Sequence, residues 1–304
     1  MKRRDFVRSG LALGAAAFGP VAGAATHARP AAARHAFNLK YAPHEGMFRH
    51  HAGDDFIDQI EFMADVGFTA LEDNGMMGRS VSQQEKIAST LQRRGMDMGV
   101  FVVDKGGNGA NTLAAGRPDH LDIFLDGCRR AVEVAKRVNA TWMTVVPGDF
   151  QRDLPEHVQT ANTLDALRRG ADIFEKEGLV MVLEPLSDTP DLFLRTSDQA
   201  YLLCKAVDSP ACKILFDIYH LQKNEGNIIA NLDATWDEIA YIQIGDNPGR
   251  NEPTTGEINY RNVFAHIHNK GFGGICGMEH GISGSGKAGE QQLIDAYVAV
   301  DSFR

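Results

Sequence analysis

Cysteine is scarce in this chain: four residues, Cys128, Cys204, Cys212 and Cys276, with no Cys-x-x-Cys pair among them. That spacing excludes a zinc finger or a dithiol redox centre. Cys204, Cys212 and Cys276 sit in apolar runs, where a buried thiol acting as a small hydrophobe is expected. An excess of positive charge is also missing, since 31 Lys and Arg face 40 Asp and Glu for a net charge of -9. Such a balance excludes the basic footprint of a nucleic-acid binder. It also repels anionic substrates at long range, so an anion site needs a local Arg, Lys or metal ion. No low-complexity linker and no tandem repeat interrupts the chain after its first residues, so one domain is expected. The one nucleotide-like motif, GISGSGK over 281–287, lacks its working hydroxyl: Ala288 stands where a P-loop needs Ser or Thr to hold magnesium.

What is present begins at the N-terminus. A basic head with Arg3 and Arg4, an apolar stretch too short to span a bilayer and small residues around Ala22 to Ala25 read as an export signal of the twin-arginine kind over 1–25. A mature chain starting near Thr26, located in the periplasm and not held by a membrane, is the expectation. Loss of Lys2, Arg3, Arg4, Arg8 and Asp5 removes a net +3, taking -9 to about -12.

From residue 37 onward, short apolar runs alternate with longer amphipathic stretches. The runs cover 37–42, 68–72, 96–104, 140–148, 179–185, 212–220, 239–246 and 274–279. They are nearly continuous in β-branched and aromatic residues, as parallel strands buried on both faces should be. Gly67, Gly95, Gly178 and Gly271 each precede the next run, where a left-handed helix cap is needed. Eight strand–helix units over 26–304 predict an α/β fold, a single-domain (β/α)8 TIM barrel with its chemistry at the strand ends. A doubly wound open sheet is the alternative.

Four consecutive predicted strands end in a group able to coordinate a cation: Glu184, Asp217, Gln243 and Glu279. One such carboxylate reads most simply as a helix cap. Four on adjacent strands place three negative charges in one cleft, which is costly unless a cation compensates. The oxygen-only set predicts Mg2+ or Mn2+ in preference to zinc. His220, in the loop beyond the sixth strand, is expected to hydrogen-bond substrate, and Arg250, on a Gly- and Pro-rich loop, to supply the positive charge for a substrate carboxylate. His44, Glu45, Glu72, Asp73 and Asp104 are expected to be structural or to support the ligands, Glu252 and Glu257 to order the long loop, and Glu257 to cap the helix from Tyr260.

LEPLSD, FDIYHLQKNEG, YIQIGDNPGRNEPTTGEINY and GMEHG together resemble the hydroxypyruvate isomerase family of the xylose-isomerase-like barrels, from about residue 37 to the C-terminus. The resemblance implies two reacting glutamates, Glu184 and Glu279, and a metal shell of Glu184, Asp217, Gln243 and Glu279. It implies an aldose–ketose type isomerase that converts a small α-hydroxy carbonyl compound, such as hydroxypyruvate to tartronate semialdehyde, by proton transfer through an enediolate. A keto-sugar 3-epimerase and a non-catalytic exported sugar-binding barrel are the alternatives, and homo-oligomerisation is left open.

Overall fold

The computed structural model describes residues 34–303; the expected export signal over 1–25 lies outside the described residues. The strands are β1 (Lys40–Ala42), β2 (Ala70–Leu71), β3 (Asp97–Met98), β4 (Phe101–Val102), β5 (Trp142–Val145), β6 (Val180–Leu183), β7 (Cys212–Asp217), β8 (Ile239–Gln243) and β9 (Ile275–Gly277). Between them run α1 (Arg49–Ala52), α2 (Phe56–Val66), α3 (Val81–Arg94), α4 (Pro118–Val138), α5 (Glu156–Glu175), α6 (Ser197–Val207), α7 (Ile218–Asn224), α8 (Ile228–Thr235) and α9 (Tyr260–Asn269), and α10 (Gly286–Val300) follows β9.

All strand pairings are parallel, in the order β1-β9-β8-β7-β6-β5-β4 with β2 on β3. The first strand therefore pairs with the last, Ala42 opposite Gly277. Backbone bonds from Glu72 N–H to the Pro43 carbonyl, 3.1 Å, and from Gly99 N–H to the Leu71 carbonyl, 2.7 Å, carry the ring across β2. The sheet is closed, which rules out the open doubly wound alternative. The predicted third strand is split into β3 and β4 at Gly99, where a Cβ would lie 2.4 Å from the Tyr241 hydroxyl oxygen.

Helix ends follow the local code. Ser80 accepts from the Gln83 N–H in a capping box that starts α3, and Gly95 at φ 64° ends it. A Cβ at Gly67, φ 115°, would sit 2.1 Å from the His35 carbonyl oxygen, so both conformation and space demand glycine there. All four cysteines are buried and unbridged. Two expectations shift. The apolar run over 212–220 stops being strand at Asp217 because α7 begins at Ile218, and Asn259, not Glu257, caps α9 by accepting from Asn262 N–H.

A small inner core of Ala42, Ala70, Val182, Leu215, Tyr241 and Ile275 fills the barrel, while a larger one seals strands against helices. Strand side chains alternate with period two. Two residues beyond Val182, Leu215 and Tyr241 stand Glu184, Asp217 and Gln243; beyond Ile275 stand Gly277 and then Glu279; beyond Ala42 and Ala70 stand His44 and Glu72. The same alternation that buries the inner core thus lifts these polar groups to its top layer.

Candidate active site

The extra residue that β8 carries between Ile239 and Tyr241 shifts its register, so that Asp217 and Gln243 become direct neighbours across β7 and β8. One donor atom from each of Glu184, Asp217, His220 and Glu279 lies within 4.8 Å of all the others. Asp217 serves two purposes. Its Oδ1 caps α7, accepting the N–H groups of Tyr219 at 2.7 Å and His220 at 3.1 Å, while Oδ2 meets Arg250 Nη2 at 3.4 Å. The helix-cap reading and the ligand reading are both compatible with this one carboxylate.

Glu184 is 5% exposed, and its Oε1 is buried without a hydrogen-bond partner; Gln243 Oε1 is buried and unpartnered in the same way. Such orphaned acceptors are costly, and a cation would satisfy them. Burial raises the Glu184 carboxyl well above the usual carboxylate range, reinforced by Glu279 and Asp217. Glu279 is pushed up to about 8 by burial and by Asp217, with Arg250 opposing. Asn74 Nδ2 donates to its Oε1 at 2.7 Å and Arg250 Nη2 to its Oε2 at 2.7 Å. An all-oxygen set of Glu184, Asp217, Gln243 and Glu279 fits a hard divalent cation.

His220 is not a loop residue: it lies in the first turn of α7 and is wholly buried. Its Nδ1 accepts from the Ser187 backbone N–H at 3.1 Å. Burial, with Arg250 adding to it against Asp217, lowers its pKa and favours the neutral ring. Its Nε2 sits 3.0 Å from Arg250 Nη2 and 3.6 Å from Asp217 Oδ2. Arg250 itself stands at φ 49°, braced over the Tyr219 ring, and its Nε donates to the Glu279 carbonyl at 3.2 Å.

The mouth opens into a cleft of about 460 Å³ lined by His44, Asn74, Arg250, Glu279 and His280 among others. Two of the lining groups had no assigned contact from sequence: Asn74, which bonds Glu279, and His44, whose Nε2 donates to Glu72 Oε1 at 2.8 Å. His44 and Glu72 are expected from sequence to be structural or to support the ligands, and the period-two extension of β2 would have found Asn74 as well. Asp73 and Glu45 are tied to Arg79, with Glu45 also lining the cleft, and Asp104 is tied to Arg130. The glycine-rich loop is spoken for. Ser283 N–H donates to buried Glu252 at 2.9 Å, and Gly284 packs so tightly on Gly289 that a Cβ would lie 2.7 Å from its Cα. Glu252 therefore does order the long loop, while Glu257 accepts from Asn247 and Gln222.

Comparison with known proteins gives relatives of this sequence and of this fold. The chain is 32% identical over 165 residues to the hydroxypyruvate isomerase of Escherichia coli, covering 54% of this chain and 64% of that one, just under two thirds of its length. It is 29% identical over 238 residues to the 2-oxo-tetronate isomerase of Cupriavidus necator, covering 77% and 89%. Among solved structures, an AP endonuclease of family 2 from Brucella melitensis superposes with a TM-score of 0.72 at 20% identity, covering 84% of this chain and 98% of that one. A 3-keto-D-glucoside 4-epimerase from E. coli gives 0.71 at 17% identity, covering 86% and 98%. Residues 60–297 match the family described as Xylose isomerase-like TIM barrel, and the chain belongs to that family.

Proposed function

We propose that this protein is a divalent-metal-dependent isomerase of small α-hydroxy carbonyl compounds, with Glu184 and Glu279 as its proton-transfer pair. The observation that carries this reading is the meeting of the two glutamates, from opposite sides of β7 and β8, within 4.8 Å of each other. Glu184, Asp217, Gln243 and Glu279 would hold Mg2+ or Mn2+. A cation bound there supplies positive charge to the substrate oxygens and acidifies the neighbouring C–H bond. One glutamate takes the proton beside the carbonyl, giving an enediolate; the other, protonated beforehand, delivers a proton to the former carbonyl carbon, the hydroxyl proton passes to the former carbonyl oxygen, and the two carboxyls re-equilibrate with solvent. Arg250, with His220 beside it, supplies positive charge for the carboxylate of a hydroxypyruvate-like acid. The names of the curated relatives, hydroxypyruvate isomerase and 2-oxo-tetronate isomerase, support the same substrate class.

One observation favours a second reading, a keto-sugar 3-epimerase. The cleft of about 460 Å³ lies in the roughly 300–1,000 Å³ range of pockets that take larger ligands, so a sugar fits as well as a three-carbon acid. Proton NMR of the purified protein with hydroxypyruvate and a panel of keto-sugars in D2O separates the two. Loss of the hydroxymethyl signal next to the ketone with a new aldehyde-hydrate signal marks isomerisation, inversion at one carbon marks epimerisation, and no exchange in any substrate with a divalent cation present defeats both.

Export to the periplasm through the folded-protein route belongs to the same proposal. It rests on Arg3 and Arg4 ahead of a weakly apolar segment. Replacing both by Lys should leave precursor in the cytoplasm, and unchanged export of that variant counts against it.

A further inference from the structure

Glu72 is a carboxylate with no exposed surface at the end of β2, and the proton-transfer scheme makes no use of it. It accepts three hydrogen bonds: His44 Nε2 at 2.8 Å and Gln243 Nε2 at 2.7 Å on Oε1, and the Tyr241 hydroxyl at 2.6 Å on Oε2. A buried charge is a burden, yet the barrel is cut to receive this one. A Cβ on Gly277 would lie 1.7 Å from Glu72 Oε2, and one on Gly99 would lie 2.4 Å from the Tyr241 hydroxyl oxygen. Gly277 on β9 and Gly99 between β3 and β4 thus stand where any side chain would expel the carboxylate or its phenol partner.

The amide of Gln243 has a donor end and an acceptor end, and the residue is wholly buried. An ionised carboxylate only accepts, so Glu72 takes the Nε2 end. The opposite end, Oε1, is the atom left without a partner. Turning the amide over would set its oxygen against the Glu72 oxygen and lose the bond. We infer that Glu72 is a positioning residue, which holds the Gln243 amide so that it presents oxygen, and not nitrogen, to the divalent cation. The inference rests on the assignment of Gln243 as a ligand. It explains how a neutral amide serves in a set otherwise made of carboxylates: its orientation is imposed by a fourth carboxylate that never touches the metal.

Calorimetric titration of the purified protein with Mn2+ tests it, alongside thermal melting. Glu72→Leu removes the acceptor and should weaken Mn2+ binding about 10–100-fold, the usual effect of losing an outer partner of a ligand. Glu72→Gln keeps an acceptor oxygen for the amide and should bind close to wild type. In a Gln243→Ala background, Glu72→Leu should cost nothing further. If the Leu variant does not fold, Gln243→Glu gives the answer with little change in volume. It sets two carboxylates together and should weaken Mn2+ binding, whereas Gln243→Glu with Glu72→Gln exchanges amide and carboxylate and should restore it. Wild-type affinity in Glu72→Leu, independent losses in the double variant with Gln243→Ala, or Gln243→Glu binding as tightly as the exchanged pair overturns the positioning role while leaving the proposed function intact. Wild-type affinity in Gln243→Ala overturns the ligand assignment, and this inference with it.

Discussion

His220 Nε2 and Arg250 Nη2 lie 3.0 Å apart, and the same Nη2 donates to Glu279 Oε2 at 2.7 Å. Arg250 is thus the cation beside the buried acids, placed where a substrate carboxylate would meet it. Arg250→Lys retains the charge but loses the planar fork and the contact from Nε to the Glu279 carbonyl. It should lower kcat/KM for a carboxylate-bearing substrate by at least about 10-fold, the size expected when a charged hydrogen bond of about 1.5–3 kcal/mol is lost. Steady-state kinetics on an acid and on a neutral ketose check this; equal losses for both would show that Arg250 does not read the carboxylate.

Asp217 is at once the cap of α7 and a candidate ligand, and two substitutions separate these duties. Asp217→Asn keeps an oxygen for the N–H groups of Tyr219 and His220, whereas Asp217→Ala gives up the cap at a cost of about 0.5–2 kcal/mol. Both should weaken Mn2+ binding, and only the Ala variant should also lose helix-cap stability. Melting curves and calorimetric titration read the two effects independently. Undiminished affinity in both variants would remove Asp217 from the ligand set.

Glu279→Gln keeps an oxygen for the cation but cannot accept a proton, so turnover should fall by at least about 100-fold, as for loss of a general base. The pair also predicts an asymmetry. Of Glu184→Gln and Glu279→Gln, one should still exchange a substrate C–H with D2O without forming product, and the other should do neither. NMR in D2O, with metal occupancy measured beforehand, distinguishes them; wild-type isomerisation by Glu279→Gln leaves that residue at most a ligand.

His280 titrates near pH 4, lowered from 6.5 chiefly by burial. Its ring stacks on Tyr297, and its Nε2 lies 2.7 Å from the Tyr297 hydroxyl. Above pH 6.5 the ring is neutral in both folded and unfolded chains and imposes no penalty. As the pH falls from 6.5 toward 4 the unfolded chain binds the proton first, so folded stability declines and then levels off. His280→Gln should lack this component. Urea unfolding at pH 7.5, 5.5 and 4 should therefore show a shallower decline in the variant, and parallel curves would contradict the assignment.

Much of this protein was legible in its residues. Glu184, Asp217 and Gln243 each follow an inward-facing apolar residue by two, and Glu279 follows Ile275 by four, so strand periodicity alone brings them to one mouth once the barrel closes. Gly67 and Gly95 marked helix ends because a positive φ is a local demand that the residue type announces. The resemblance of the block from Asp217 to Tyr260 to a known family added the roles of the two glutamates.

What only the tertiary structure decided are contacts that depend on pairing between distant segments. Glu72 and Gln243 are 171 residues apart, and their bond exists because the barrel curls β2 and β8 around a shared interior. Asn74 reaches Glu279 across 205 residues for the same reason. His220 reads as a loop histidine bonding substrate until α7 turns it inward, where the Ser187 N–H donates to its Nδ1. The run GISGSGK has the local pattern of an anion loop, but folding delivers the protein's own Glu252 to Ser283. Local backbone and periodicity preferences act within a few residues and are written in the chain; a hydrogen bond between distant strands is set by register and closure, which are properties of the whole barrel.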